Sequence, residues 1–420
     1  MNKFSFSVFF TSTILWICLL FFTTKSFASE IIVCPSCNCT SIQSGINLAK
    51  MGDAVLVKKG TYNEHTITIN KSITISAEVN TVVDLQKKGE GFIITADHVT
   101  LKGFIIKNSM VSNMNDYAGI LVSNASFVEV TNNFLQNTFF GIRYAASKNG
   151  LIANNKIIGE NIIQSQTGNG IQLWQCSNIS IKNNLIKKHR DGIYFEFANY
   201  CHINNNTSEE NFRYGLHFMN SNHDSYSRNI FRNNGTGAAV MYSHYISMLY
   251  NTFENNWGDA SYALLLKDIS TGIVRGNRFI KNTSGILLDG SNYLKISSNL
   301  FQNNGWAMKI YANCVNDTFA NNNFILNTFD VSTNGTMYSS IFKNNYWDKY
   351  EGYDLNKDKV GDVPYLPVSL YSIIIEQMPQ ALMLLRSFAV NILDKTEKMI
   401  PSLIPDQLKD ESPAMQKNNI

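Results

Sequence analysis

The sequence predicts an all-β protein, a right-handed parallel β-helix solenoid of about 22-residue coils with an N-terminal cap and a C-terminal helical extension. Three observations carry this. The first is an asparagine phrase that recurs as Asn133-Phe134-Leu135, Asn155-Lys156-Ile157, Asn184-Leu185-Ile186, Asn206-Thr207-Ser208 and Asn229-Ile230-Phe231. It continues as Asn251-Thr252-Phe253, Asn277-Arg278-Phe279, Asn299-Leu300-Phe301, Asn323-Phe324-Ile325 and Asn345-Tyr346-Trp347, in steps of 22, 29, 22, 23, 22, 26, 22, 24 and 22 residues. The second is a strand phrase 14 residues ahead of the asparagine, such as Gly192-Ile193-Tyr194-Phe195-Glu196 and Gly215-Leu216-His217-Phe218-Met219. Its second and fourth residues stay apolar while the third and fifth vary, the mark of a strand with one buried face. The third is the density of asparagine, a poor helix former, which excludes a helical repeat. Propeller blades need about 40 residues each, so the period excludes them too.

The elements follow in chain order. Residues 1–28 read as an export signal: Lys3, an apolar run from Phe4 to Phe22, then the small residues Ser26 and Ala28. Cleavage there removes two lysines and takes the formal charge from +3 to about +1, which leaves no basic field for nucleic acid. Residues 29–64 form the cap, with an amphipathic helix from Ile42 to Lys50. A cap is needed because an open solenoid end exposes unpaired strand groups. Residues 65–365 form the β-helix, ten or eleven coils that make a rod about 50 Å long at 4.8 Å per coil. In each coil a shorter strand follows the first, as at Ile179-Ser180-Ile181, and the asparagine sits at the bend. Asparagine tolerates left-handed backbone angles, and its side chains can bond from coil to coil.

Residues 366–420 differ from the rest. The stretch from Gln380 to Lys398 is helical and rich in Leu, Met and Phe, with Leu384, Leu385 and Phe388 as docking candidates. It is too short and interrupted to span a bilayer. It suits a partner, a membrane surface or the last coil. The tail after Pro401 has few apolar residues and is expected to hold little structure.

Three groups are candidates for chemistry. Cys34, Cys37 and Cys39 lie close together at the mature N-terminus. They suit a local disulfide with one thiol left over, or Cu(I) held by soft thiolates. Asp354, Asn356 and Asp358 resemble half of a calcium loop but lack its glycine and closing glutamate. The outward positions of successive first strands gather Trp174, Tyr194, Glu196, His217, Met219 and Met241, with Met219 over Met241. An exposed patch of this kind suits Cu(I), through His217, Met219 and Met241, or a docking protein, through Trp174, Tyr194 and Glu196. Cys176, Cys201 and Cys314 fall inside repeats as small core residues. No pair of acids recurs on one face, so a polysaccharide lyase or epimerase, the other use of such a rod, has little support.

Several of these phrases resemble the NosD family. They are Arg190-Asp191-Gly192-Ile193-Tyr194-Phe195-Glu196-Phe197, Arg213 to Met219, Ala239 to Ser243, Tyr262 to Asp268, and Asn345 to Asp348 with Gly361 to Tyr365. The resemblance runs from the cap to Tyr365, and more loosely over Pro401 to Pro413. It implies a periplasmic accessory protein that works on the copper–sulfur centre of nitrous oxide reductase. It implies association with an ABC permease and its ATPase at the inner membrane, and copper arriving from a lipoprotein chaperone. Such a protein is a scaffold or metal relay, not an enzyme. The cysteine cluster is not part of the family pattern.

Overall fold

A computed structural model describes residues 29–420 apart from Asn113 and residues 161–162, 336–338 and 401–407. The export signal lies outside the described residues. Each coil contributes one strand to each of three parallel sheets, which hold 14, 13 and 12 strands. The coil Asp191–Glu196, His202–Asn204, Thr207–Glu209 shows the plan. The fold is therefore the expected parallel β-helix, with more coils than the asparagine phrase marks. The additional coils lie before Asn133, where Ile, Val and Leu fill the inward positions and the phrase is absent. At about 4.8 Å per step, 14 strands make a rod of roughly 60 Å. The third strand of each coil is built from the residues just after the asparagine, so the bend separates the second strand from a third that the sequence reading omitted.

Register is held without slippage. Ile193, Leu216, Ala238 and Leu264 stack in line, facing the core. A Cβ at Gly215 would lie 2.6 Å from the Gly237 carbonyl oxygen, which explains the glycine that opens the strand phrase. Inside the third sheet Phe231, Phe253, Phe279, Phe301, Phe324 and Trp347 form one column, with ring centroids 3.9 to 5.2 Å apart. Offset ring pairs of this kind add about 0.5–1.5 kcal/mol each beyond area burial.

The asparagines form a ladder. Asn133, Asn155, Asn184, Asn206, Asn229, Asn251, Asn277, Asn299, Asn322 and Asn345 are buried. Asn345 donates to Asp410, and each carboxamide from Asn133 to Asn322 donates to the side-chain oxygen of the asparagine one coil on, as in Asn229 Nδ2 to Asn251 Oδ1 at 3.0 Å. That same oxygen also accepts the backbone N–H of Asn229 at 3.0 Å. The ladder thus satisfies backbone donors that a bend would otherwise bury unpaired. Two details differ from the sequence reading. Asn322, not Asn323, is the ladder member, and Asn323 opens a strand and bonds Asn418. The left-handed residue is the one before the ladder asparagine, for example Asn205 at φ 54° and Tyr250 at φ 56°. A second ladder runs five residues further along, through Asn211, Asn234, Asn256, Asn282, Asn304 and Asn327.

Both ends are closed. At the start, the helix Ile42–Leu48 is capped by Ser41, and the Glu64 carboxylate accepts the N–H groups of Ile42 and Gln43. Strand Glu30–Val33 already pairs with Ala54–Val57 in the 14-stranded sheet, so the cap region and the solenoid share a sheet. At the far end, the helix Leu370–Gln377 packs on the last coils through Trp306, Phe329, Tyr371 and Ile375. The 3-10 turn Pro379–Leu384 and the helix Phe388–Met399 follow, so the predicted single helix is broken in two. The tail was expected to be loose. Instead, residues 408–420 fold back over the last coil, with Asp410 bridging Phe342 and Ala414 bridging Tyr346.

Asp224 and Asp317 are buried, and each accepts one backbone N–H while its other oxygen has no partner among the described residues. Burial pushes Asp224 up to about 8 and Asp317 up to about 7. Such groups are protonated in the fold while the unfolded chain ionises near 4, so stability falls as pH rises from about 4 to 8. Asp224→Asn is expected to raise the melting temperature, by little at pH 4 and by up to about 2 kcal/mol of stability at pH 8. Thermal melts across that range check this; a gain that is flat with pH would refute it.

Candidate metal and docking face

The outer side of the 12-stranded sheet carries the predicted patch. One row reads Trp174, Glu196, Met219, Met241, Lys267. The row beside it reads Gln172, Tyr194, His217, Ala239, Leu265. Met219 and Met241 are therefore registered neighbours, both half-buried. The Tyr194 hydroxyl donates to Glu196 Oε2 at 3.2 Å and lies 3.8 Å from Met219 Sδ. Burial, with Glu196 next to it, pushes the Tyr194 phenol up to about 12, so it stays a donor.

His217 departs from the expectation of an exposed ligand: it is only 6% exposed. The rings of Tyr194 and Tyr214 pack on it at centroid distances of 5.0 and 4.6 Å. Its Nδ1 lies 3.3 Å from Asp191 Oδ2. Asp191 is fully buried and is gripped by Arg213 through Nε at 3.0 Å and Nη2 at 2.7 Å. Burial works to raise Asp191, but hydrogen bonds from His217 and Arg213 win and hold its carboxyl below the usual carboxylate range. Nδ1 also lies 3.4 Å from Arg213 Nη2. In the tautomer that sets the Nδ1 proton on the Asp191 carboxylate, Nε2 carries the lone pair, and Nε2 is buried with no partner among the described residues. His217 lies two residues along the strand from Met219, in the row next to the Met219–Met241 pair, so one imidazole and two thioethers, ligand types that suit Cu(I), share this face of the sheet. Asp191 and Arg213 stand inside phrases quoted above, but their pairing joins two coils and no local pattern announces it.

The other candidates resolve differently. Cys34 and Cys37 form a disulfide, and Cys39 is a buried free thiol, so no three-thiolate site forms. Asp354, Asn356 and Asp358 spend their side chains on their own turn, the N–H of Asp358 donating to Asp354 Oδ1 at 3.2 Å and to Asn356 Oδ1 at 3.0 Å. Among the described residues no group of three or more His, Cys, Asp or Glu is gathered to hold a metal. Cys176, Cys201 and Cys314 are buried free thiols inside the repeats. His189 is buried with both ring nitrogens unpartnered, and burial lowers it to about 4. On the C-terminal segment Met383 and Phe388 are 90% and 79% exposed, with Leu384 and Leu385 beside them. No helix among the described residues is long and apolar enough to cross a membrane.

Residues 154–359 match the model of the family described as periplasmic copper-binding protein NosD. The chain is 26% identical over 370 residues to a probable ABC transporter binding protein NosD of Stutzerimonas stutzeri, covering 83% of this chain and 84% of that one. The chain is similar to the NosD family over these stretches. A second NosD relative, from Pseudomonas aeruginosa, is 26% identical over 367 residues, covering 83% and 85%. Among solved structures, the α-1,3-glucanase catalytic unit of Streptomyces thermodiastaticus superposes with a TM-score of 0.56 at 14% identity, over 73% of this chain and 62% of that one. The adhesin PfbA of Streptococcus pneumoniae gives 0.51 at 13% identity, over 72% and 95%. At such identities these two share only the β-helix fold with this chain.

Proposed function

We propose that the chain is a periplasmic accessory protein that holds Cu(I) transiently and passes it toward the copper–sulfur centre of nitrous oxide reductase. The copper is cargo, received from a lipoprotein chaperone. The observation that carries this reading is the registered Met219–Met241 pair on the same sheet face as His217, whose Nε2 has no partner among the described residues. The match to the family model over residues 154–359 supports the copper and the periplasm, and the names of both relatives support work with an ABC transporter. The amphipathic helix Phe388–Met399, with Phe388, Ile392 and Met399 exposed, suits the permease or the membrane beside it. A relay role, not a catalytic one, is favoured because the nearby carboxylates are engaged, Asp191 by Arg213 and Glu196 by Tyr194.

The double variant Met219→Leu with Met241→Leu keeps the volume and removes both sulfurs. It is expected to weaken Cu(I) affinity by about tenfold or more. Reductase matured with it should lack the copper–sulfur centre while its electron-transfer copper is filled. Metal analysis and the visible spectrum of the reductase decide the matter, and normal loading would sink the assignment.

A further inference from the structure

A pocket of about 280 Å³ opens on the same sheet, on the N-terminal side of the methionine pair. It sits where the repeat is irregular. The 29-residue step between Asn155 and Asn184 brings in the 3-10 turn Gln164–Gln166, and the long connection before Ala118–Ser123 brings in Ser112 and Asp116. Insertions on one wall of a solenoid mark the face that binds. The lining is mostly polar, with Phe139 and Phe140 forming an apolar side.

The anomaly inside it is Arg190. Its Nε is buried with no hydrogen-bond partner among the described residues, and Nη2 makes only a 3.3 Å bond to the carboxamide oxygen of Asn169. No carboxylate lies within 4 Å of its guanidinium among the described residues. The neighbouring acids are otherwise occupied: Asp116 faces Arg143 Nη2 at 3.5 Å, and Glu196 accepts the Tyr194 hydroxyl. A half-buried guanidinium without a counter-ion is rare in a finished protein. Around it stand groups that read hydroxyls: the buried carboxamides of Asn169 and Gln172, which bond each other at 3.2 Å, the Tyr194 phenol and the Glu196 carboxylate. No thioether lines the pocket, so this chemistry does not rest on the copper reading.

We infer that this pocket binds a polyhydroxylated carboxylate of about one sugar ring, such as a uronic acid, with the carboxylate on Arg190 and the hydroxyls on Asn169, Gln172 and Glu196. The planar fork of arginine suits a carboxylate, and the mixed donors and acceptors suit a ring of hydroxyls. The ligand can come as a free sugar acid or as a unit of an acidic polysaccharide.

Isothermal titration of the purified full chain with sodium glucuronate, with D-glucose as the neutral counterpart, tests it. Saturable binding of glucuronate at about millimolar or tighter is expected, with glucose weaker by about tenfold or more. Arg190→Gln should lose about tenfold or more, and Gln172→Glu, which adds a third carboxylate to Asp116 and Glu196 in the pocket, should lose a similar factor. Both variants are first checked for an unchanged thermal melt, and Tyr194→Phe serves if either fails to fold. A tetra-uronate that binds more tightly than the monomer points to a polysaccharide source; equal affinity points to a free sugar acid. Absence of glucuronate binding, equal binding of glucose, or full affinity in well-folded Arg190→Gln overturns the assignment.

Discussion

Asp410→Ala is expected to destabilise the protein by about 4 kcal/mol, far beyond the ±0.5 kcal/mol of an ordinary surface change. One oxygen of this buried carboxylate accepts three buried donors: Asn345 N at 3.1 Å, Asn345 Nδ2 at 2.9 Å and Trp347 Nε1 at 3.1 Å. Its other oxygen accepts Ser412 N at 3.1 Å and fixes the tail. Removing the carboxylate leaves three donors without an acceptor, each worth about 1–3 kcal/mol and together less than their sum. It also frees residues 408–420 from the last coil, whose strand edges then face water. Denaturant unfolding followed by circular dichroism measures the loss. A cost below about 1 kcal/mol would mean that the tail does not close the rod.

Asn251→Ala is expected to cost about 3 kcal/mol and to break cooperativity at mid-rod. Asn251 Oδ1 is the acceptor for both the backbone and the side-chain N–H of Asn229. Its own Nδ2 reaches Tyr226 O and Asn277 Oδ1, each at 3.0 Å. Alanine orphans groups in both neighbouring coils, and no water reaches them at this depth. A solenoid is held by nearest-neighbour interfaces, so a weak interface divides it into two units. Hydrogen exchange should show protection lost first around residues 229–277, while residues 299–345 keep theirs. Uniform loss along the rod would show that the ladder adds stability without setting the cooperative unit.

Much of this was legible in the sequence, because a repeat states its geometry many times over. The asparagine spacing and the alternating Gly-Ile-Tyr-Phe-Glu pattern reported the coil, the register and the row that stacks Met219 on Met241. What was hidden depends on contacts between coils or on a single copy. The first coils carry no asparagine phrase, so the rod looked shorter. The Asn322 and Asn323 pair offered two registers, and only stacking chooses between them. His217 looked outward by alternation, yet Tyr194, Tyr214 and Asp191 come from neighbouring turns to bury it. The second ladder sits five residues beyond the first and was readable, but it was masked by the general abundance of asparagine. The tail has too few apolar residues to suggest order, and its order comes from contacts with the last coil: Asp410 at the end of a row of donors, the Asn418–Asn323 pair, and Ala414 N–H on the Asn345 carbonyl.

That row has a direction. Every ladder carboxamide donates toward the C-terminal coil, from Asn133 to Asn155 at one end and from Asn322 to Asn345 at the other. Ten aligned amide dipoles add along the axis, as peptide units do in a helix. The positive pole then lies at Asn345, where the chain sets the anion Asp410, while at the negative pole Asn133 Oδ1 receives the Phe104 N–H. The ladder is thus electrically polarised along its length, and each of its ends is chemically committed to its own kind of partner, a backbone N–H of the preceding coil at one and a carboxylate at the other.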